Sequence, residues 1–89
     1  MARPYTEEIQ EGYVIREFLH DTPSMEFVWH RDKENRIVEA LHPTDWKYQL
    51  DNDIPRKLEE KQLFIPEGIY HRLIKGTGNL KLKVIKCKT

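Results

Sequence analysis

Aromatic, basic and imidazole side chains in this sequence could together form a pocket for a small molecule. Aromatic rings supply apolar walls, while imidazole and guanidinium groups orient a polar or anionic ligand through hydrogen bonds and charge. The candidates are Trp46, Tyr48 and Tyr70 as walls, with His30, Arg36 and His71 as polar groups. The alternative interpretation is that Trp46 and Tyr48 simply belong to the hydrophobic core.

The composition argues against several other kinds of function. Lysine and arginine together number 15, as do aspartate and glutamate, so no net charge attracts nucleic acid or an anionic membrane. Cys87 is the one cysteine, which excludes an internal disulfide. No apolar stretch reaches the roughly 20 residues of a membrane-spanning helix, and the N-terminus runs into Glu7 and Glu8 rather than an apolar leader. We therefore expect a cytosolic protein that binds neither nucleic acid nor membrane.

Hydrophobic residues mostly recur with a period of two, which is typical of β-strands with one buried face. Turn-forming residues separate these stretches at regular intervals, and no helix longer than a turn or two is predicted. The pattern predicts an all-β antiparallel barrel of seven or eight strands, with residues 1–12 as an N-terminal arm and 13–89 as one domain. The predicted strands are 13–19, 25–30, 37–41, 46–51, 63–65, 69–74 and 80–84, with a short strand and tight turn within 56–60.

The predicted strand over residues 25–30 has a consequence for His30. Met25, Phe27 and Trp29 alternate on one face, so His30 lies on the other. If His30 faces the barrel interior, the three apolar side chains point outward and need cover from a second sheet or a dimer partner. If they fill the core instead, His30 lies outside. A homodimer is therefore one of the expected assemblies.

Two segments resemble the sequence motifs of the cupin superfamily of small jelly-roll barrels. Residues 66–71 match the Pro-x-Gly-x-x-His core of the second motif, in which proline and glycine shape a tight turn. The first motif is His-x-His, followed after three or four residues by Glu. Here His30 holds its first position and Asp32 its second, while the Glu position falls on Arg36 or Ile37. The resemblance implies a jelly-roll, cupin-like barrel.

The same resemblance implies that His30, Asp32 and His71 are metal ligands. Two imidazole nitrogens and one carboxylate oxygen hold divalent iron, manganese, nickel or zinc and leave positions open for a further ligand. Arg36 stands where a carboxylate is expected, and its permanent charge would repel an ion or pair with Asp32. The alternative is a site without metal, in which both histidines are partly buried and hydrogen-bonded.

Three functions follow from a cupin-like barrel with these residues. The first is binding of a small polar or anionic molecule in the barrel pocket, with or without a divalent ion. The second is a metal-dependent enzyme of the dioxygenase or isomerase type, with substrate at the open positions. The third is a non-catalytic module that forms a homodimer through an apolar face. The fold does not choose among them, because one barrel supports many functions.

Overall fold

The computed structural model describes residues 5–21, 23 and 25–87, and almost all of their regular structure is β-strand. The strands are β1 (Tyr5–Gln10), β2 (Tyr13–Phe18), β3 (Asn35–Ala40), β4 (Lys47–Leu50), β5 (Arg56–Lys57), β6 (Leu63–Ile65), β7 (His71–Ile74) and β8 (Leu80–Cys87). One turn of 3₁₀ helix, Met25–Phe27, completes this part of the chain. No helix within it has the length and apolar character of a membrane span. The prediction of an all-β chain with seven or eight strands is confirmed.

The strands form two antiparallel sheets that share one hydrophobic core. The five-stranded sheet has the order β1-β2-β8-β3-β6, and the three-stranded sheet has the order β5-β4-β7. Strands that are distant in sequence, such as β2 and β8, lie side by side, as they do in a jelly roll. Apolar side chains from both sheets pack together, with Phe18, Val38 and Leu82 from the larger sheet and Tyr48 and Leu73 from the smaller one.

Strand β8 shows how the alternating sequence builds this core. Leu80, Leu82 and Val84 are buried, whereas the lysines between them lie on the opposite face. Because β8 runs between β2 and β3, its buried face lies at the centre of the larger sheet. Burial of each such side chain contributes about 1.5–3 kcal/mol, so this strand anchors the scaffold that positions the site.

The N-terminal segment extends the larger sheet. Strand β1 pairs with β2 along its whole length, from Tyr5 opposite Phe18 to the hairpin turn that contains Gly12. Gly12 has a φ of 87°, a left-handed conformation that glycine adopts without strain. The sheet therefore includes half of the predicted arm (residues 1–12), of which residues 1–4 lie outside the described part. Its polar sequence suits an edge strand, which contacts the core with one face only.

Candidate metal centre

The segment that carries His30 does not have the conformation that its alternating sequence predicted. It begins with the 3₁₀ turn, Met25–Phe27, and then extends until His30 forms an isolated bridge with His71 of β7. The prediction of a strand over residues 25–30 is therefore wrong. A short alternating sequence fits both conformations, and the contacts made by individual side chains decide between them.

The tighter turn removes the predicted conflict between His30 and its apolar neighbours. Phe27 packs into the core, with its ring centroid 5.7 Å from that of Trp46. Trp29 points outward, and its ring lies 4.9 Å from the guanidinium carbon of Arg72. Phe27 and His30 are therefore both turned toward the interior, which a regular strand would not allow for residues of opposite parity. The structure does not describe the side chain of Met25. The homodimer that was expected to cover these apolar side chains remains a prediction.

A turn containing Pro66 and Gly68 positions His71 next to His30. Gly68 has a φ of 79°, and its amide donates a hydrogen bond to the carbonyl of Asp32 at 3.0 Å. Strand β7 then begins at His71, which is buried. Two backbone hydrogen bonds of 3.0 and 2.8 Å join His71 to His30. The segments of the two motifs are thus held against each other by main-chain contacts.

The structure brings the three candidate metal ligands together. One side-chain atom from each of His30, Asp32 and His71 lies within 4.8 Å of the other two. Nε2 of His71 is 3.2 Å from Oδ2 of Asp32, and the two imidazole rings meet edge to face with centroids 4.3 Å apart. Donors on one ion with bonds of about 2.0–2.2 Å lie at most about 4.4 Å apart, so this spacing is close to the one that a common ion requires.

Both imidazole rings are oriented by their own backbone. Nδ1 of His30 lies 2.8 Å from the carbonyl oxygen of Val28, and Nδ1 of His71 lies 2.9 Å from that of Ile69. A carbonyl oxygen only accepts, so each Nδ1 carries the hydrogen and donates it. On a neutral ring, Nε2 then bears the lone pair, and both Nε2 atoms belong to the cluster with Asp32. Metal-ligating histidines are commonly oriented in this way.

Two enclosed atoms of the cluster have no partner at hydrogen-bond geometry among the described residues. They are Nε2 of His30 and Oδ2 of Asp32. A carboxylate oxygen of Glu26 lies 2.7 Å from Nε2 of His30, and Nε2 of His71 lies 3.2 Å from Oδ2 of Asp32. Both contacts are ion-pair distances, but neither has the angle of a hydrogen bond. Such atoms are rare in proteins and are expected where an ion or a water molecule binds. The residues present therefore fit a divalent cation.

The positive charge of Arg36 is compensated within the site. Its Nη1 lies 3.3 Å from Oδ1 of Asp32, while its Nε and Nη2 donate to Oε1 of Glu34 at 3.1 and 3.0 Å. The guanidinium is thus held between two carboxylates, and Oδ2 of Asp32 remains directed toward His71. Arg36 does pair with Asp32, and the pairing leaves one carboxylate oxygen for an ion.

The surroundings of Asp32 and His30 favour the charged form of each. Burial tends to raise the pKa of Asp32, but the contact with His71 and the charge of Arg36 bring it below its ordinary value. The contact with Glu26 raises the pKa of His30 by more than burial lowers it. An ionised Asp32 is ready to bind a cation, whereas a proton on His30 competes with one.

Solved structures of other proteins have the same arrangement of strands. A cupin domain from Bordetella pertussis Tohama I matches with a TM-score of 0.68 and 18% sequence identity, over 100% of this chain and 99% of that domain. This chain has a cupin fold. A protein from Neisseria meningitidis matches the cupin barrel with a TM-score of 0.64 and 15% identity, over 94% of this chain and 82% of its own length.

A larger protein contains the same cupin barrel as part of its chain. The iron(II) form of HppE in complex with its substrate matches with a TM-score of 0.67 and 20% identity, over 98% of this chain and 55% of HppE. The chain thus spans about half the length of HppE. Neither the protein-family models nor the curated proteins give a match to this sequence.

A small cavity lies inside the cupin barrel, next to the candidate ligands. Its volume is about 40 Å³, and its lining includes Asp32 and His71. Much of the remaining wall is apolar, with side chains such as Leu50, Leu63 and Ile65 from both sheets. A space of this size holds about three water molecules, so a ligand that enters it contains few heavy atoms.

Two of the four predicted ligand-binding residues, Arg36 and Tyr48, line this cavity, whereas Trp46 and Tyr70 do not. Trp46 is 0% exposed, and its indole Nε1 donates to a backbone carbonyl at 3.0 Å, so it belongs to the core. Tyr70 is 43% exposed, and its ring lies 5.3 Å from the guanidinium carbon of Arg31 at the surface. A period of two identifies the face of a strand, but not which part of the interior a side chain reaches.

Glu26 belongs to the site although neither motif indicates it. Its Oε2 lies 2.7 Å from Nε2 of His30, and its Oε1 lies 3.7 Å from Nη1 of the buried Arg16. The spacing of four residues between Glu26 and His30 is a signal for proximity in a helical turn. In a strand, residues four positions apart point to the same face but lie too far apart to touch. Taking residues 25–30 as a strand therefore hides the proximity of Glu26 and His30.

Proposed function

We propose that this cupin barrel binds one divalent metal ion through His30, Asp32 and His71, and that the ion holds a small molecule in the adjacent cavity. The orientation of the two imidazole rings carries the proposal. Each Nδ1 meets a backbone carbonyl, so both Nε2 atoms are directed to a cluster with a carboxylate oxygen within 4.8 Å. Two nitrogens and one oxygen suit divalent iron, manganese, nickel or zinc. The iron(II) in the similarly folded HppE supports iron among these.

The cavity supports a ligand with an oxygen-bearing head and a short apolar body. Apolar walls that include Leu50, Leu63 and Ile65 favour a hydrocarbon part, while Asp32 and Arg36 provide polar contacts. When bound, the ion would supply Lewis acidity and open positions for an oxygen donor. The protein itself orients the imidazoles, keeps Asp32 ionised and lines much of the cavity with apolar side chains.

Metal content of the purified chain tests the proposal. After incubation with iron(II), manganese, nickel or zinc and removal of loosely bound ion, elemental analysis should find one ion per chain. His71→Ala should lose it, while His20→Ala, which removes an exposed histidine that contacts Asn79 outside the cluster, should retain it. A folded wild-type protein that retains none of these ions would refute the proposal, as would undiminished metal in His71→Ala.

A metal-dependent enzyme is the second candidate function. It is favoured by the substrate-bound iron(II) form of HppE, which has the same fold. Oxygen uptake by the iron(II)-loaded protein, measured with small hydroxy and oxo acids, would test the oxygen-dependent version. Uptake that requires His71 would support an enzyme, whereas saturable binding of such an acid without turnover would support a binding protein.

A further inference from the structure

The two segments that carry the histidines present a repeated set of side chains to the solvent. Trp29-His30-Arg31 and Tyr70-His71-Arg72 each contain an aromatic residue, a histidine and an arginine in that order. The two triplets run antiparallel and are joined by the backbone bridge between His30 and His71. Neighbouring positions of an extended chain point to opposite sides, so the aromatic and arginine side chains point away from the barrel interior.

Each arginine of these triplets stacks on the aromatic ring of the other triplet. The guanidinium carbon of Arg72 lies 4.9 Å from the ring centroid of Trp29, and that of Arg31 lies 5.3 Å from the ring centroid of Tyr70. Nε and Nη2 of Arg72 also donate to Oε1 of Gln49 at 3.1 and 2.9 Å. These contacts hold both guanidinium groups against the sheet, but none of them supplies a negative charge.

The charges of Arg31 and Arg72 are not compensated by an ion pair within the part of the chain that the structure describes. The other arginines of that part each contact a carboxylate, namely Arg16 with Glu7, Arg36 with Asp32 and Glu34, and Arg56 with Asp53. Asp51 lies at the edge of the same face, opposite Tyr70 and one strand further from Arg31. The two guanidinium groups therefore keep donors for carboxylates of another molecule.

Lys47 of β4 extends the two arginines into a diagonal row of cations across the outer face of the smaller sheet. The register places Lys47 opposite Ile74 and Gln49 opposite Arg72, so Lys47 is a diagonal neighbour of Arg72. Arg72 is in turn a diagonal neighbour of Arg31 across the backbone bridge. Diagonal neighbours on one face are about 7–8 Å apart, and alternate side chains of an extended chain are about 6.6–6.8 Å apart. An extended segment with an acidic residue at every second position therefore matches this row.

We propose that this outer face, formed by Lys47, Arg72 and Arg31 with the rings of Trp29 and Tyr70, is a docking surface for an acidic, extended segment of another protein. Arginine, tryptophan and tyrosine are enriched among the residues that dominate binding energy in protein interfaces. Both rings are 43% exposed, and a guanidinium covers one side of each. That covering favours recognition of carboxylates over the stacking of nucleic-acid bases on the rings.

A labelled peptide of alternating sequence, Glu-Ser-Glu-Ser-Glu-Ser-Glu, is a suitable probe. Its binding to the full-length protein is followed by fluorescence anisotropy for wild type, Arg31→Gln, Arg72→Gln and Lys86→Gln. Each arginine variant should weaken binding at least about threefold, because it loses one exposed charge contact with the peptide. Lys86→Gln removes the same charge from an exposed position of β8 in the larger sheet, and its affinity should stay within about 1.5-fold of wild type. The peptide with glutamine in place of glutamate should not bind.

Four outcomes would overturn the docking surface. Wild type could leave the acidic peptide unbound at about 1 mM, or Lys86→Gln could weaken binding as much as the arginine variants, which would indicate a general effect of charge. A single-stranded oligothymidylate of equal charge could bind more tightly than the peptide, which would assign the face to nucleic acid. Light scattering could show a wild-type dimer that both arginine variants dissociate, which would assign the face to a second copy. Circular dichroism checks that each variant is folded, and if one arginine variant unfolds, the other decides.

Discussion

The amide of Gly68 donates a hydrogen bond to the carbonyl oxygen of Asp32 across 3.0 Å. This contact links the turn that starts β7 to the segment that carries the carboxylate of the site. Because His71 follows Gly68 by three residues, one turn sets the position of two of the three candidate ligands. The geometry of the candidate metal centre therefore depends on a residue that has no side chain.

Substitution of Gly68 should affect both stability and metal binding. Its φ of 79° is unfavourable for alanine, although the added Cβ would meet nothing within 4 Å. Gly68→Ala should lower the free energy of unfolding by about 1–2 kcal/mol, measured by denaturant titration. Metal affinity should fall about tenfold as the turn shifts away from Asp32.

Gly78→Ala is the matched control for this prediction. Gly78 has a φ of 72° and equally open space around its Cβ position, but it lies in the turn before β8. It should show a similar loss of stability with unchanged metal affinity. Equal losses of affinity in the two variants would mean that the link between Gly68 and Asp32 does not position the site.

The titration of His30 in the metal-free protein should depend on Glu26. The contact with Glu26 raises the pKa of His30 above its ordinary value, so nuclear magnetic resonance of the imidazole should give a midpoint above about 6.5. The stabilising contribution is then fully present below the unfolded-state pKa and is lost as pH rises through the folded-state pKa. Metal binding has the opposite trend and weakens as pH falls, because the proton competes for His30.

Two variants check the origin of that shift. Glu26→Gln should lower the midpoint of His30 toward the ordinary value, while Glu34→Gln, whose carboxylate contacts Arg36, should leave it in place. An unchanged midpoint in Glu26→Gln would show that the short contact in the structure does not determine the charge of His30.

Trp46 should contribute to stability and not to ligand binding. Trp46→Phe removes apolar volume from a fully buried position and leaves the carbonyl of Gly78 without its donor. The free energy of unfolding should fall by about 2 kcal/mol, with metal and ligand affinities unchanged. The same change at the exposed Trp29 should cost less than about 0.5 kcal/mol. A selective loss of ligand affinity in Trp46→Phe would restore the idea that this ring is a pocket wall.

The predicted homodimer can be tested at the edge of the larger sheet. Phe64 is 54% exposed on edge strand β6, opposite Ile37 of β3, and an apolar ring at a sheet edge favours association. Light scattering should give the mass of a dimer for wild type and of a monomer for Phe64→Asp. Ile54→Asp, at an exposed position between β4 and β5, should remain dimeric. A monomeric wild type at high concentration would exclude this dimer.

The sequence predicts strands well wherever one face is buried along the whole element. Strand β8 is the clearest case, because its leucines and valine alternate with outward residues and it begins just after the turn that contains Gly78. The turn at residues 66–68 is predicted equally well, since proline and glycine restrict the backbone locally. These features depend on a residue and its immediate neighbours, which is information that a single sequence contains.

The remaining features depend on contacts between distant segments. Residues 25–30 alternate like a strand, yet Phe27 packs against Trp46 and His30 pairs with His71, so a 3₁₀ turn is adopted. Trp46 and Tyr48 have the same parity in the sequence, but one enters the core and the other lines the cavity. Glu26 joins the site through the same turn. None of these positions follows from periodicity, because each is fixed by packing across the barrel.

The paired hydrogen bonds between His30 and His71 involve only backbone atoms, so they do not depend on the side chains that would bind the metal ion. Main-chain atoms hold both positions, at 3.0 and 2.8 Å, whatever side chains are attached there. The backbone positions of residues 30 and 71 are therefore set independently of the donor atoms that their side chains supply. Asp32→His would present three imidazoles instead of two, a softer set that shifts preference toward copper or zinc. The barrel thus offers a starting point for redesigning metal selectivity by exchanging a single side chain.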